Sequence, residues 1–231
     1  MTSSSEATLA ASERSQAVNL DAVRLAAANL RDAICVSPCS QSHALSERTG
    51  GTVFLKLENL QRTGSFKERG ALNKILALTK EQRARGLVTA SAGNHAQGVA
   101  YHSARLGIAC EVWMPAVTPL VKVSAVRGHG ANVVIHGLNF DETYAAAEQS
   151  CRERDMTFVH PFDDPAVIAG QGTIALELLG QIPQFDTVIV PVGGGGLIAG
   201  IAVALKQINP AIRVVGVQTA ALPSMSAAIN A

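Results

Sequence analysis

The sequence predicts an α/β protein built on parallel sheets, and three observations lead to that class. First, the chain has 231 residues, of which 48% are hydrophobic and 16% are charged, so it can bury a large core. Second, short apolar runs alternate with amphipathic segments of about ten to fifteen residues, as in strands joined by helical crossovers. Third, no solenoid repeat or low-complexity linker interrupts this alternation. Consecutive strands should therefore run parallel.

Each element is assigned from this alternation in chain order. Residues 1–16 are rich in Ser and Ala, lack an apolar core of signal-peptide length, and are interpreted as a flexible leader. The longer periodic segments are predicted helices, at residues 19–34, 66–78, 94–106, 121–127, 141–154, 167–179 and 197–208. The short apolar runs are predicted strands, at residues 52–57, 87–90, 109–114, 132–136, 157–159, 187–192 and 213–218.

The spacing of these elements predicts two domains. Four closely spaced strand and helix units between residues 86 and 160 are expected to close as one small sheet. The segments on either side, 17–85 and 161–231, are expected to share a second, larger sheet. The small domain would thus be an insertion in the larger one.

Composition excludes several classes of function. The net charge is +1 and the basic residues are scattered, so the chain offers no stripe for nucleic acid. No run of about eighteen apolar residues occurs, so no membrane partner is expected. Four cysteines without a metal-ligand spacing predict no structural zinc and mostly buried, reduced thiols in the cytoplasm: Cys35, Cys39, Cys110 and Cys151.

Lys67 stands at a turn-to-helix entry, in the run Ser65-Phe66-Lys67-Glu68-Arg69-Gly70. Ser65 can cap the helix, which places Lys67 in the first turn. There the positive end of the helix dipole disfavours a second positive charge and lowers the pKa of the ammonium group. A lysine of lowered pKa is a candidate for a Schiff base, although an arbitrary lysine is more often a solvated surface side chain.

Four consecutive glycines follow the strand at 187–192 and open the next helix: Gly193, Gly194, Gly195 and Gly196. Their backbone N–H groups can converge, and the helix N-terminus favours an anion, so a phosphate is the expected ligand. A tight turn alone would need only one or two glycines. The spacing Gly194-x-Gly196-x-x-Ala199 also fits a dinucleotide fingerprint, but Gln218 stands where that site needs an acidic residue.

A third segment, Ser91-Ala92-Gly93-Asn94-His95, lies where a strand meets a helix. The first amides of that helix can receive a carboxylate, and Asn94 can donate to a ring oxygen. Ordinary N-capping by Ser91 or Asn94 is the competing interpretation.

These three segments resemble those of the β-family of pyridoxal-phosphate enzymes, fold type II, and most closely its threonine dehydratases with their serine racemase and serine dehydratase relatives. The resemblance runs from about residue 38 to 218. It also includes Met114-Pro115, the run from His160 to Thr173, and Pro191 to Gly200. It implies two three-layer domains with parallel sheets, of the tryptophan synthase β-like kind, the larger one incomplete.

The resemblance also implies a site for pyridoxal 5'-phosphate. Lys67 would bind the cofactor as a Schiff base, Phe66 would flank its ring, and Asn94 would bond its phenolic oxygen. The phosphate would be held by Gly193, Gly194, Gly195 and Gly196. The substrate carboxylate would be held by Ser91, Asn94 and His95, with backbone help from Ala92 and Gly93.

The activity implied by the resemblance is an ammonia-lyase reaction. Lys67 would take the Cα proton of an amino acid, and loss of the β-hydroxyl would yield a 2-oxo acid and ammonia. L-Threonine would give 2-oxobutanoate and L-serine would give pyruvate, in amino-acid metabolism such as isoleucine biosynthesis. The full-length parent is expected to be a homo-oligomer, a dimer or tetramer.

Two residues depart from the racemase pattern. Serine racemases place a serine where this chain has Ala92, so elimination rather than racemisation is expected. Their divalent cation site begins with a glutamate where this chain has Gln218, so no metal and weak or no magnesium activation are expected.

Relatives continue well past residue 231, through a Ser or Cys that bonds the pyridine nitrogen. A fragment of a longer enzyme is therefore expected. The alternatives are an inactive or weakened fragment that only binds or assembles, and, within the enzymes, O-acetylserine or cystathionine chemistry.

Overall fold

The computed structural model describes residues 18–230, so the predicted leader at residues 1–16 lies outside the described residues. The helices are α1 (Leu20–Leu30), α2 (His43–Thr49), α3 (Lys67–Ala77), α4 (Lys80–Arg85), α5 (Asn94–Arg105), α6 (Leu120–Gly128), α7 (Phe140–Glu153), α8 (Pro165–Gln181), α9 (Gly196–Ile208) and α10 (Ser224–Ile229). The strands are β1 (Cys39–Gln41), β2 (Phe54–Lys56), β3 (Leu87–Ala90), β4 (Cys110–Met114), β5 (Asn132–Ile135), β6 (Thr157–Phe158), β7 (Thr187–Pro191) and β8 (Arg213–Val217). A short 3₁₀-helix covers Glu58–Leu60. The α/β class is confirmed.

Strands β3 to β6 form one parallel sheet in the order β5-β4-β3-β6, as the sequence predicts for this region. All four residues of β3 are buried, because this strand is central and has helices on both faces. In β4 burial alternates along the strand, and β5 at the sheet edge is more exposed. The carboxyl end of β3 leads directly into the segment Ser91 to His95, which places that segment at the edge where ligands bind in such sheets.

The prediction of one larger sheet shared by the first and last segments is wrong for the described residues. Strand β2 pairs with β1 in an antiparallel ladder, whereas β7 pairs in parallel only with β8. The strand β1 was missed because it has only three residues, of which Cys39 alone is partly buried, so it carries no apolar period. The helix α2 was missed because none of its seven residues is buried. Ser42 caps α2, and Gly50, at φ 71°, ends it before the chain returns to β2.

Helix α3 packs against the core around β3 and β4 on one side and against helix α8 on the other. Its residues Ala71 and Ile75 belong to the core around β3 and β4. Its other side packs against α8 at Gly70, where a Cβ atom would lie 2.7 Å from the carbonyl oxygen of Val167. A Cβ at Gly170 would lie 2.7 Å from the carbonyl oxygen of Arg69. The two helices can approach this closely only because neither residue has a side chain.

A buried ion-pair network fixes the start of α3. The side chain of Arg69 is 1% exposed and donates to Glu58 at 2.8 Å and to Glu177 at 2.6 Å. Glu177 also pairs with Lys56. Burial alone would lower the pKa of Arg69, but its hydrogen bonds to Glu58 and Glu177 hold that pKa above the usual value. The network ties the 3₁₀-helix and α8 to the helix that carries Lys67.

Candidate active site

Lys67 is the first residue of α3, one position later than the predicted helix start. Phe66 makes no side-chain cap, whereas the hydroxyl of Ser65 accepts the backbone N–H of Lys67 at 3.2 Å. The ammonium group donates to the carbonyl oxygen of Pro161 at 2.7 Å and lies 5.4 Å from the centre of the Phe66 ring. Burial lowers the pKa of Lys67 from 10.5 to about 8. The predicted direction is therefore found, and burial is its cause.

A cavity of about 280 Å³ brings Lys67 together with the glycine loop, although the two lie far apart along the chain. Its lining comprises Phe66, Lys67, Phe162, Pro191, Val192, Gly193, Gly194, Gly195, Gly196 and Leu197. Six of these ten residues are predicted site residues, namely Phe66, Lys67 and the four glycines. The loop begins at the carboxyl end of β7, and Gly196 is the first residue of α9.

The four glycines differ in why they have no side chain. Gly195 has φ 89°, and a Cβ at Gly196 would lie 2.7 Å from the carbonyl oxygen of Phe162. A Cβ at Gly194 would overlap the Phe162 ring. At Gly193, by contrast, φ is not in the left-handed range and nothing lies within 4 Å of a Cβ position. The fold explains three glycines, whereas Gly193, which also lines the cavity, has open space at its Cβ position.

The segment Ser91 to His95 lies outside the lining of this cavity but next to the start of α3. Gly98, one turn into α5, packs so closely that its Cβ would lie 3.1 Å from the Cα atom of Glu68. Ser91 accepts the backbone N–H of Gly93 at 3.2 Å, and Asn94 is exposed at the first position of α5. The first amides of α5 have no acceptor within the helix, so they can receive a carboxylate.

The side chain of His95 is not available for such a carboxylate. It is 2% exposed, and its Nε2 lies 3.0 Å from the carbonyl oxygen of Val159. Burial, with a smaller contribution from the positive charge of Lys67, lowers the pKa of His95 to about 3, so the ring is neutral. His95 therefore offers its backbone N–H at this site.

Sequence reasoning assigned no role to residues 160–162, although the run from His160 to Thr173 carried part of the resemblance. The structure places Pro161 against Lys67 and Phe162 against Gly194 and Gly196. The connection from β6 to α8 thus forms one wall of the cavity. The sequence signal for it was the place of these residues in the run that carried the resemblance.

Gln218 binds protein groups. Its amide oxygen accepts the backbone N–H groups of Met225 and Ser226, at 3.1 and 3.2 Å, and its amide nitrogen donates to Ser224. Within residues 18–230, no cluster of three or more His, Cys, Asp or Glu side chains is arranged to hold a metal. In the same part of the chain, no helix is long and apolar enough to cross a membrane. All four cysteines are free thiols; Cys110 and Cys151 are buried, whereas Cys35 is exposed, contrary to expectation, and Cys39 is intermediate.

The residues around the cavity fit a phosphorylated aldehyde. A lysine amine of lowered pKa lies on one wall, and backbone amides at the start of α9 lie on another. The open space at Gly193 leaves room for the ligand to approach the backbone.

The family model described as pyridoxal-phosphate dependent enzyme matches residues 30–231. An L-threonine ammonia-lyase from Thermotoga maritima is 50% identical over 213 residues, which are 92% of this chain and 53% of that protein. The chain thus spans about half the length of the curated relatives it matches.

Two solved structures support the same relationship. Threonine deaminase isoform 2 from Solanum lycopersicum superposes with a TM-score of 0.86 at 40% identity, covering 91% of this chain and 63% of that one. Maize serine racemase superposes with a TM-score of 0.89 at 36% identity, covering 93% of this chain and 66% of that one.

Proposed function

The chain belongs to the pyridoxal-phosphate dependent enzyme family, and from this premise we propose that it carries the lysine and phosphate sites of an L-threonine ammonia-lyase. The proposed reaction eliminates water from L-threonine, and hydrolysis of the enamine so formed takes up a water and releases ammonia, which gives 2-oxobutanoate. L-Serine is the second proposed substrate and would give pyruvate and ammonia in the same way. The supporting observation is the single cavity that Lys67 and the loop Gly193 to Gly196 line together. The names of the relatives favour threonine as the substrate.

Each residue has a proposed role in holding the cofactor and the substrate. Lys67 would bind pyridoxal 5'-phosphate covalently, Phe66 would flank its ring, and Asn94 would bond its phenolic oxygen. The amides at the start of α9 would hold its phosphate, because they have no acceptor within the helix. The amides at the start of α5 would hold the substrate carboxylate in the same way. When bound, the cofactor supplies a conjugated system that accepts the electrons released at Cα.

Lys67 has the properties of the base in this reaction. With a pKa of about 8 instead of 10.5, more of the Lys67 side chain is a neutral amine near neutral pH than for an exposed lysine, and this neutral form can accept a proton. The partly buried position keeps that amine away from bulk water. The carbonyl oxygen of Pro161 holds the protonated form at 2.7 Å.

A spectroscopic experiment tests this proposal. We expect the chain mixed with pyridoxal 5'-phosphate to develop the absorbance of a lysine imine and Lys67→Ala to show none. The exposed Lys122→Ala should match wild type. Release of ammonia and 2-oxobutanoate from L-threonine then separates an active enzyme from a chain that only binds the cofactor. An imine band that persists in Lys67→Ala would contradict the assignment.

Racemisation is the second candidate, because serine racemases superpose closely on the chain. Ala92 has no hydroxyl to return a proton from the opposite side of the substrate, so we expect elimination to dominate. Chiral chromatography of the products from L-serine measures this directly. Formation of D-serine at a rate comparable to that of pyruvate would favour the racemase.

Several finer features stay predictions. They are the place in isoleucine biosynthesis, the cytoplasmic location, the homo-oligomeric assembly and the weak response to magnesium. Activity assays with added chelator address the last of these, and a large loss of activity would contradict it.

A further inference from the structure

The turn that follows β6 contains His160, and one of the two ring nitrogens of this residue accepts hydrogen bonds from the turn. Its Nδ1 accepts the backbone N–H of Asp163 at 2.7 Å and that of Phe162 at 3.2 Å. A nitrogen that accepts two N–H groups carries no proton, so the proton of the neutral ring is on Nε2. One ring atom therefore holds the backbone of this turn in place.

The same turn contacts both Lys67 and the glycine loop of the candidate site. The carbonyl oxygen of Pro161 accepts the amine of Lys67 at 2.7 Å. The Phe162 ring packs against Gly194, and the carbonyl oxygen of Phe162 would lie 2.7 Å from a Cβ at Gly196. A shift of this turn would therefore move two groups together, namely the Pro161 carbonyl that accepts the Lys67 amine and the Phe162 residue that packs against the glycine loop.

Aromatic contacts fix the ring of His160 itself. It meets the Phe162 ring edge to face, with centroids 4.7 Å apart, and the Tyr144 ring on α7 at 5.9 Å. Edge-to-face pairs of this kind have a preferred geometry, so they orient the imidazole as well as bury it.

We propose that His160 is a positioning residue, which acts through its unprotonated Nδ1 to hold the Pro161 carbonyl against Lys67 and so keeps the amine buried in the cavity wall. His160 touches neither the cofactor nor the reacting atoms. The inference deepens the proposed function, since it concerns the same lysine and rests on that function for its role in the reaction.

The charges around His160 are compatible with a neutral ring. Burial lowers the pKa of His160 below its usual value, and the positive charge of Lys67 acts in the same direction. The acidic groups that face it and oppose this shift are Asp163, Asp164 and Glu148. The hydroxyl of Tyr144, the other titratable group packed on the ring, donates to Glu148 at 3.1 Å.

Two amide variants separate the role of Nδ1 from that of ring packing. In His160→Asn the side-chain oxygen can take the place of Nδ1, whereas in His160→Gln the longer side chain carries its amide to the position of Nε2. Both variants are neutral and both lose the aromatic ring. Any difference between them therefore reports on the acceptor at Nδ1.

The measurement is the pH dependence of Lys67 reductive methylation, read by mass spectrometry on the whole chain without added cofactor. Wild type should be half-labelled near pH 8, the pKa that burial imposes on Lys67. His160→Asn should keep that midpoint. His160→Gln should raise it by about one unit or more, because an opened turn admits water to the amine. Exchange of the Phe162 and Asp163 amides with deuterium should be faster in the Gln variant only.

An unchanged midpoint in His160→Gln, or an equal shift in both variants, would overturn the proposal. If His160→Gln does not fold, the Asn variant still decides, since a raised midpoint in that variant alone would also refute it. Because no cofactor is present, the result is independent of whether the chain binds pyridoxal 5'-phosphate. Failure of the proposed function would instead appear as a missing imine band in wild type.

Discussion

At the residue scale, Lys67 combines a buried amine with a single backbone acceptor. Its pKa falls from 10.5 to about 8 because the charged form loses water, and this lowers the stability of the fold as long as the lysine is protonated. The lowered pKa and the loss of stability therefore have the same physical cause. Functional groups held in this way commonly reduce stability.

Lys67→Met should consequently stabilise the chain at neutral pH. Below pH 8 the folded and unfolded states both hold the proton, so wild type bears the whole burial penalty, at most about 3 kcal/mol. Between pH 8 and 10.5 the folded state loses its proton first, and wild-type stability rises. The advantage of Lys67→Met should therefore shrink over that range.

Urea unfolding at pH 7 and pH 9.5 measures this difference. The exposed Lys122→Met is the matched control and should show no such pH-dependent gain. A Lys67→Met variant that is less stable than wild type at pH 7, and equally so at pH 9.5, would argue against a buried ammonium.

At the scale of elements, the turn from β7 into α9 combines fold requirements with ligand requirements. Gly196 is needed for packing, since its Cβ would lie 2.7 Å from the carbonyl oxygen of Phe162. Gly193 has no such restriction. The four glycines were assigned together as a phosphate site from the sequence, whereas contacts from a distant turn distinguish them.

Gly193→Ala and Gly196→Ala should separate these two requirements. Gly196→Ala overpacks the turn and should lower the free energy of unfolding by about 1–3 kcal/mol. Gly193→Ala should leave it within about 0.5 kcal/mol and still weaken binding of pyridoxal 5'-phosphate, because its methyl group occupies the open space. Thermal unfolding and a cofactor titration measure the two effects. Equal cofactor affinity in Gly193→Ala and wild type would mean that the phosphate lies elsewhere.

At the scale of the whole molecule, α3 connects the parallel sheet β3 to β6 with the helices around α8. It contributes to the core around β3 and β4 and also packs against α8. The domain division into residues 17–85 with 161–231 and residues 86–160 stays a proposal. Because α3 packs against both regions, it would resist movement of two such domains relative to each other.

The network around Arg69 should make this arrangement sensitive to acid. Burial would raise the pKa of Glu58, but its hydrogen bonds to Arg69 hold that pKa below 4.5. A lowered pKa contributes stability above about pH 4.5 that is lost as the pH falls through the folded-state value. Glu58→Gln should therefore be less stable at pH 7, by about 1.5–3 kcal/mol for a hydrogen bond to a charged group.

Urea unfolding of wild type and Glu58→Gln from pH 7 down to pH 3 tests this expectation. The two proteins should converge in stability at the acid end. The exposed Glu47→Gln serves as the control. A constant difference between wild type and Glu58→Gln over the whole range would show that the carboxylate charge is not the stabilising feature.

The helices and strands were predictable wherever their apolar residues recur at a regular spacing. The strands β3 to β8 and the helices from α5 to α9 match the predicted segments to within three residues at each end, because apolar periodicity and turn residues are local signals. The strand β1 and the helices α2, α4 and α10 were not predicted. They are short, and five of the six residues of α4 are polar or charged. These segments therefore lack the regular spacing of apolar residues that marks a buried face.

By itself, the sequence determined the α/β class, the lysine at a helix entry, the glycine loop and the family resemblance, since each is written in neighbouring residues. Only the tertiary structure decided that Pro161 accepts the amine of Lys67, that Phe162 supports Gly194, and that the ring of His95 is bound to Val159. The reason is that burial and hydrogen bonding between distant segments depend on how the helices pack. Packing is a property of the folded chain, which no local pattern specifies.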